Sequence, residues 1–207
     1  MLLPECEVFN CDQGTPEWLQ CRAGVVTAST FKDVLAKGRG GGESETRRKL
    51  IYSTAAEILT GQPTPGFGGN ANTERGKEWE AEVRALYSAG TDDEVTEVGF
   101  IRRGRIGCSP DSVVGARGGL EIKTHAPHIL LPMLERGTLP PEHKPQVQGI
   151  LLVTGWEFMD FIAYWRGLPP LEVRVERDLD YLSNLQTELN LFHHDVDAVV
   201  NKIRSMA

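Results

Sequence analysis

The chain has 207 residues, of which 22 are Lys or Arg and 29 are Asp or Glu, giving a net charge of −7. With 40% hydrophobic and 25% charged residues, the composition is that of a globular protein and excludes collagen-like, coiled-coil and disordered chains. No stretch approaches the ~18 consecutive apolar residues of a membrane span, and the first ten residues lack the basic flank and apolar run of a signal peptide. We therefore predict a soluble cytoplasmic protein.

Helices are predicted throughout the first half of the chain. Thr15 and Pro16 provide an N-cap and a proline at N1, and Gly61 is placed to end a later helix. A Pro- and Gly-rich connector at 62–72 separates the third predicted helix from the fourth. The four predicted helices are 15–24, a segment beginning within 27–30 and stopping before 38, a segment that follows the basic glycine-rich loop 38–49 and runs through 59, and the amphipathic stretch 73–89.

The second half of the chain alternates between strand and helix patterns. Apolar residues spaced by three and four from Leu182 to Ile203 predict one long amphipathic helix at about 180–204. The other predicted elements are a three-stranded meander at 95–103, 106–114 and 119–124, a helix at 142–154, and strands at 158–165 and 171–177. The pattern predicts a single α/β domain, 1–207, with a core of roughly 15–178 in which helices flank a central mixed β-sheet.

The cysteines and the overall charge restrict the kinds of partner. Cys6, Cys11, Cys21 and Cys108 form no C-x-x-C pair and have no histidine at ligand spacing, so we expect free thiols rather than a zinc or redox motif. The net charge of −7 argues against a protein that coats nucleic acid over its whole surface, because neutralising phosphates requires clustered cations. DNA bound in a locally basic cleft remains compatible with this charge.

One short segment brings two acids and a lysine together. If a turn lies at 115–119, Asp111 and Glu121 stand on adjacent antiparallel strands, and Glu121 and Lys123 point to the same face. Two carboxylates beside a core are costly unless a cation pairs with them, and the carbonyl of Ile122 could add another hard oxygen ligand. Lys123 could then orient or help deprotonate a water. The alternative is a solvated sheet face with an exposed ion pair.

These residues resemble the PD-(D/E)xK nuclease signature, and their flanks resemble the bacteriophage lambda exonuclease family of viral, YqaJ-like alkaline exonucleases. The matching blocks extend over roughly 15–165 in the family's order: Trp18 with Arg22-x-Gly24-x-x-Thr27-Ala28-Ser29, then Gly76-Lys77-x-x-Glu80, Gly107-Cys108-Ser109-Pro110-Asp111, and Gln146-Val147-Gln148. The resemblance implies a restriction-endonuclease-like core. It also implies a magnesium-dependent 5′ to 3′ exonuclease that digests double-stranded DNA, releases 5′ mononucleotides and leaves a 3′ single strand for recombination by annealing.

The resemblance also assigns the catalytic roles. Asp111 and Glu121, with the Ile122 carbonyl and Glu80, would bind two Mg²⁺ ions, for which Mn²⁺ is an alternative, and Lys123 would serve the attacking water. Two ions roughly 4 Å apart would clamp the attacking and leaving oxygens. Glu80 has a competing interpretation as the partner of Arg84 in an i, i+4 ion pair on a helix surface.

A second group of residues matches family positions that hold the terminal 5′ phosphate. These are Arg22, Ser29, Ser109 and Gln146, and a guanidinium, hydroxyls and a helix N-terminus are usual anion-binding groups. Ser29 as a helix cap and Arg22 as a surface ion pair remain open. Gln148 lies about 200° from Gln146 on a helix, so both cannot face one site, and we expect Gln146 to do so.

The family resemblance implies double-stranded DNA ends, a phage single-strand annealing protein and a toroidal homotrimer as partners, in the cytoplasm of a bacterial host. A ring could keep acidic surface outside and gather arginines around the duplex. Two cationic sets could grip the DNA backbone or form solvated surface: Lys37, Arg39, Arg47, Arg48 and Lys49, and Arg102, Arg103 and Arg105. The alternatives are a restriction-type or nicking endonuclease and a non-catalytic module that binds DNA ends.

Overall fold

The computed structural model describes residues 1–38, 40, 42, 44–64 and 74–206. Single turns of 3-10 helix precede two of the α-helices, at Ala28–Thr30 and Pro141–His143. The strands and α-helices are, in chain order, β1 (Glu7–Phe9), α1 (Pro16–Arg22), β2 (Val26–Thr27), α2 (Phe31–Val34), α3 (Glu45–Thr60), α4 (Glu74–Ala89), β3 (Val95–Thr96), β4 (Phe100–Arg103), β5 (Ile106–Cys108), β6 (Ser112–Val114), β7 (Gly118–Thr124), α5 (Pro127–Arg136), α6 (Lys144–Thr154), β8 (Phe158–Tyr164), β9 (Leu171–Glu176) and α7 (Leu179–Arg204).

The strands form two sheets, with the orders β1-β4-β5-β2 and β3-β6-β7-β8-β9. In the five-stranded sheet, β6 and β7 are antiparallel, β7 and β8 are parallel, and β8 and β9 are antiparallel. The four-stranded sheet is also mixed, because β2 pairs with β5 in parallel. The predicted mixed α/β domain is confirmed, but two sheets replace the single central sheet.

The predicted meander is wrong in its connections, because two of its strands divide between the sheets. The predicted strand 95–103 becomes β3 and β4, and 106–114 becomes β5 and β6. Pro110 explains the second break, since proline has no N–H to donate to a ladder. The Gln13 side chain donates to the carbonyls of Val98 (3.1 Å) and Pro110 (3.2 Å). One side-chain amide therefore binds the backbone at both places where the chain passes from one sheet to the other.

The helix caps follow the sequence signals closely. Thr15 accepts from the Trp18 amide at the start of α1, and α3 ends at Gly61 in the left-handed conformation (φ 66°). The sequence analysis missed α5, although Pro127 occupies its first turn and Gly137 (φ 65°) ends it. Pro132 lies inside this helix, and an internal proline is ordinarily a sign against a helix.

Apolar side chains pack on both faces of the five-stranded sheet. One cluster joins Leu120 and Ile122 of β7 to Trp79 and Val83 of α4, and a larger one on the other face contains Phe161 of β8. Glu121 is paired in register with Phe161. Because side chains alternate along a strand, Glu121 and Lys123 therefore face away from the α4 cluster.

The C-terminal helix α7 is part of this core. Leu182, Leu185, Leu189, Phe192 and Val196 are buried along one side, whereas Ile203, which the sequence pattern included, is exposed. Apolar burial on this scale contributes about 1.5 to 3 kcal/mol for each large side chain. The stripe thus covers the chain's own core. No helix in the described part of the chain is long and apolar enough to cross a membrane.

Candidate active site

The acidic centre is built where β6 meets β7. Ser112 is paired with Leu120 in the antiparallel ladder, and the amide of Asp111 donates to the Leu120 carbonyl at 3.1 Å. Asp111 Oδ2 accepts a hydrogen bond from the amide of Ile122 at 2.6 Å. The backbone of β7 therefore fixes the Asp111 carboxylate beside Glu121, as the spacing predicted.

Glu121 is almost fully withdrawn from solvent. Its Oε1 lies 2.5 Å from Lys123 Nζ and also accepts from the Gln146 side chain. Its Oε2 is buried and has no hydrogen-bond partner among the described residues. A buried carboxylate oxygen without a partner carries a desolvation cost that a nearby cation would relieve.

The electrostatics of the centre reflect an excess of acid over base. Burial raises the pKa of Asp111, and burial together with the neighbouring Asp111 carboxylate raises the pKa of both Glu80 and Glu121 to about 7. For Lys123, burial acts to lower the pKa, but Glu121, Asp111 and Glu80 outweigh it and raise the pKa above its ordinary value. Three carboxylates thus surround one ammonium group.

Glu80 reaches this centre from α4 while also forming the expected ion pair. Arg84 Nη2 lies 2.8 Å from Glu80 Oε1, with the two side chains only 16% and 24% exposed. Arg84 Nε also donates to the Ser112 hydroxyl at 2.9 Å, next to Asp111 in sequence. The two interpretations of Glu80 are therefore compatible, because the ion pair faces the acidic centre rather than open solvent.

The donor set suits a hard divalent cation in part. Asp111 and Glu121 supply carboxylates and Ile122 a carbonyl, the oxygen ligands that Mg²⁺ takes, and the unpartnered Glu121 Oε2 fits a cation at this point. Within the described ranges, no three Asp, Glu, His or Cys side chains are arranged as a complete metal cage. Arg84 holds one Glu80 oxygen, so the pair Asp111 and Glu121 forms the core of the candidate site.

A second cluster contains three of the four residues expected to hold a 5′ phosphate. The Arg22 guanidinium lies over the Trp18 ring, 3.6 Å from its centroid, and donates to Thr27 Oγ1 at 3.4 Å. Trp18 Nε1 donates to Ser109 Oγ at 3.0 Å, and Thr27 Oγ1 lies 3.1 Å from Ser29 Oγ. Trp18 and Thr27 therefore connect Arg22, Ser29 and Ser109.

Arg22 forms no close ion pair with a described carboxylate, although Glu57 is near enough to favour its charged form. Burial lowers the pKa of Arg22 to about 10, and no described carboxylate lies within 4.0 Å of its guanidinium. A largely desolvated guanidinium with the hydroxyl groups of Ser29 and Ser109 in the same hydrogen-bonded cluster has the kinds of group that bind a phosphate.

The two glutamines of α6 have separate surroundings. Gln146 donates to Glu121 in the acidic centre. Gln148 donates to the Glu176 carbonyl at 2.8 Å and accepts from the Asp178 amide at 3.1 Å, so it ties the end of β9 and the start of α7 to α6. The helical spacing thus separated the pair as expected, but Gln146 contacts the Glu121 carboxylate rather than the Arg22 cluster in which it was expected.

The Arg22 cluster and the acidic centre are neighbours along the chain. Ser109 and Asp111 are two residues apart on the segment that leaves β5 for β6. The turn that carries Ser29 packs on α6, where a Cβ on Gly149 would lie 2.5 Å from the Phe31 ring and 3.2 Å from the Ala28 side chain. Only glycine at position 149 allows this close approach.

Most of the candidate cations for gripping the DNA backbone have acidic partners. Arg39 lies outside the described residues. The observed ion pairs are Arg47 with Asp195, Lys49 with Glu45, Arg102 with Glu7, Arg103 with Glu5 and Arg105 with Asp197. This pairing favours the solvated-surface interpretation for Lys49 and Arg105, whereas Arg47 and Arg103 are only 16% and 21% exposed.

The sequence analysis missed the linking residues of both clusters. Trp18 belonged to a matched block but had no assigned role, and Thr27 had none beyond its match. Arg84 was considered only as a surface partner of Glu80. Its position one helical turn after Glu80 was the available signal, but the contact with Ser112 depends on how α4 packs against β6.

Comparisons with known proteins agree with this architecture. Residues 17–157 match the family model of the YqaJ-like viral recombinase domain. The fold is similar to that of an alkaline exonuclease, LHK-Exo, from Laribacter hongkongensis, with a TM-score of 0.81 and 31% identity over 93% of this chain and 97% of that one. LHK-Exo has also been solved in complex with dAMP.

A phage-related exonuclease from Haemophilus somnus 129PT shares the fold with a TM-score of 0.62 and 14% identity, over 86% of this chain and 96% of that chain. The search of curated proteins found no significant match.

Proposed function

This chain belongs to the family of the YqaJ-like viral recombinase domain, and from that premise we propose that it is a magnesium-dependent 5′ to 3′ exonuclease acting on double-stranded DNA. It releases 5′ mononucleotides and leaves a 3′ single strand for recombination by annealing. The observation that carries the proposal is the adjacency of two groups, a largely buried Arg22 stacked on Trp18 and a carboxylate centre with an unpartnered buried oxygen on Glu121.

Asp111, Glu121 and the Ile122 carbonyl are the ligands we assign to the principal Mg²⁺ site, and Glu80 to a second. When bound, Mg²⁺ supplies Lewis-acid stabilisation of the charge on the phosphate oxygens. Mn²⁺ has similar ligand preferences and is expected to substitute. Gln146 keeps the Glu121 carboxylate oriented through its hydrogen bond to Oε1.

Lys123 acts on the attacking water in this proposal. Its ammonium group contacts Glu121 and is 31% exposed, so it borders both the carboxylates and the space in which a phosphodiester would lie. The acids keep it protonated, because they raise its pKa. A fixed positive charge there orients the water and stabilises the negative charge that develops in the transition state.

End recognition distinguishes an exonuclease from the endonuclease alternatives. Arg22, Ser29 and Ser109 bind the terminal 5′ phosphate, and Trp18 holds both the guanidinium and the Ser109 hydroxyl in place. A restriction-type or nicking enzyme has no use for such a pocket. The complex of the related LHK-Exo with dAMP supports a mononucleotide product.

The proposal extends to assembly and partners. We assign a homotrimer that encircles the duplex, near three times 22.9 kDa, acting with a phage single-strand annealing protein in the cytoplasm of a bacterial host. Enclosure would retain the duplex on a chain with a net charge of −7, because a closed ring places the same face of every subunit around it. Light scattering at assay concentrations tests the mass, and a monomer would contradict the ring without affecting the chemistry.

The experiment for the activity compares three duplex substrates, with 5′ phosphate ends, with 5′ hydroxyl ends, and covalently closed, each with Mg²⁺ and with EDTA. We expect rapid release of mononucleotides from the phosphorylated ends, in Mg²⁺ only. Cleavage of closed duplex would indicate an endonuclease. Binding of the protein to duplex ends with no digestion product in Mg²⁺ would indicate a binding module.

A further inference from the structure

Arg84 is the residue through which α4 meets the acidic centre. Its guanidinium donates to three partners on three different elements or loops: Glu80 Oε1 at 2.8 Å, Ser112 Oγ at 2.9 Å and Glu97 Oε1 at 2.9 Å. The side chain is 16% exposed, whereas Glu97 is 73% exposed. The inner two contacts are thus sheltered, and only the outer one is open to water.

The Ser112 contact fixes Arg84 to the backbone beside Asp111. Ser112 is completely buried, and its hydroxyl donates to the Asp111 carbonyl at 2.6 Å while accepting from Arg84 Nε. The chain of contacts runs from Asp111 through Ser112 and Arg84 to Glu80. It defines where the Glu80 carboxylate stands relative to Asp111.

We propose that Arg84 is a positioning residue that presents Glu80 to the second divalent cation. This inference rests on the proposed function. Arg84 Nη2 engages one Glu80 oxygen, Oε1, and the proposal assigns the other, Oε2, to the cation. Partners that hydrogen-bond to a metal-ligating carboxylate orient it, and their loss typically costs about 10- to 100-fold in metal affinity or activity.

The three contacts require the geometry of an arginine. A planar guanidinium presents donors in fixed and divergent directions, whereas an ammonium is a compact charge on a flexible stem. A lysine at position 84 could keep the positive charge near Glu80 but could not reach Ser112 and Glu97 in the same arrangement.

Arg166, in the loop between β8 and β9, provides a matched control that contacts the same helix. It also bridges two glutamates of α4, Glu78 at 3.0 Å and Glu82, but it is 51% exposed. Arg166→Gln therefore removes the ion pairs with Glu78 and Glu82 of α4 and leaves the contacts of Glu80 unchanged. It separates a general effect on the helix from a specific effect on the second cation.

The test is Mn²⁺ binding to the whole protein, followed by electron paramagnetic resonance of the free ion, together with thermal unfolding of each variant. We expect two bound ions in the wild type. Arg84→Gln should weaken the second binding event about tenfold or more and leave the first unchanged, Arg84→Lys should give an intermediate loss, and Arg166→Gln should bind as the wild type.

The Glu80→Gln background shows whether Arg84 acts through Glu80. There, Arg84→Gln should produce no further loss of Mn²⁺ binding, because the ligand that it orients is already gone. If Arg84→Gln does not fold, Arg84→Lys is assessed by the same titrations.

Unchanged or tighter Mn²⁺ binding in a folded Arg84 variant would overturn the inference, as would a single ion in the wild type or an equal loss in Arg166→Gln. Failure of the proposed function gives a different result, namely that Asp111→Asn binds both ions normally.

Discussion

Lys123 and Glu121 form a 2.5 Å ion pair two residues apart on β7, in which the glutamate side chain is 2% exposed and the lysine 31%. The asymmetry means that the carboxylate lies inside the protein and the ammonium at its boundary. Alternation along the strand puts both on one face. A phosphate approaching from solvent would therefore meet the positive group before the negative one.

The carboxylates of the acidic centre can be tested by isosteric replacement. We expect Asp111→Asn and Glu121→Gln each to abolish cleavage in Mg²⁺, because an amide does not provide the anionic oxygen that holds the cation. Duplex binding should be largely retained, since phosphate contacts supply most of the affinity. Gel-based digestion and fluorescence anisotropy measure the two properties, and Glu157→Gln, at an exposed ion pair, is the control.

Normal digestion by either variant of the acidic centre would remove that residue from the metal site. Loss of both cleavage and duplex binding would instead point to a folding defect, which circular dichroism would detect.

The Arg22 cluster predicts a preference for phosphorylated ends. We expect wild-type protein to digest duplex with 5′ phosphates faster than duplex with 5′ hydroxyls, and Arg22→Gln to erase most of this difference. A charge-assisted hydrogen bond contributes about 1.5 to 3 kcal/mol, which corresponds to at least a tenfold effect on rate. The measurement is the initial rate of digestion of each substrate at a DNA concentration well below saturation.

Arg102→Gln is the matched control for Arg22. Arg102 also lies over an aromatic ring, that of Phe9, but it is paired with Glu7. Its loss should leave the phosphate preference intact. Equal rates on both substrates in the wild type would contradict the pocket.

The two glutamines of α6 should respond in opposite ways to the same substitution. Gln146→Leu should reduce cleavage strongly with little change in stability, because its partner is the Glu121 carboxylate. Gln148→Leu should lower the free energy of unfolding, since the Glu176 carbonyl and Asp178 amide lose their partner at about 1 to 3 kcal/mol for each buried group. Urea denaturation and digestion rates of both variants provide the comparison, and the reverse pattern would contradict these roles.

A histidine of α7 predicts how stability depends on pH. His193 Nε2 is buried without a hydrogen-bond partner in the described part of the chain, and burial, aided by Arg105, lowers the pKa of His193 from 6.5 to about 4. Between these values the unfolded chain binds more protons than the folded one, so stability should fall as pH drops from about 6.5 towards about 4. Above pH 6.5 the effect should vanish.

Urea denaturation across this pH range should show a shallower fall for His193→Leu than for the wild type. His194→Leu serves as the control because its side chain is 83% exposed, and it should follow the wild type. An identical pH dependence in all three proteins would show that His193 is not the responsible group.

The parts of the fold that the sequence predicted depend on local signals. Thr15 and Gly61 cap helices by contacts within a few residues, and the spacing of Leu182 to Val196 defines one buried face. The cap at Ser44 was not predicted, and α3 begins at Glu45, inside the predicted loop 38–49. The sheet division was not predictable in this way. Pro110 was a local signal for one break, but Gln13, whose side chain donates to the Val98 and Pro110 carbonyls, lies more than 80 residues away in sequence.

The same distinction applies to the candidate site. Asp111, Glu121 and Lys123 could be brought together from strand periodicity and one turn. The link from Arg84 to Ser112, and that from Trp18 to Ser109, join elements that are distant in sequence. Such contacts follow from tertiary packing, which residue spacing does not encode.

The short segment Ser109-Pro110-Asp111 limits how far the Arg22 cluster can lie from the acidic centre. Two residues of extended chain span at most about 7 Å, so the backbones of Ser109 and Asp111 stay within that distance of each other. If Ser109 helps to hold the terminal phosphate and Asp111 lies at the scissile bond, this short tether links the binding of the end to the position of the cut. Proline restricts the backbone between them, so an insertion in this segment would disturb both functions together.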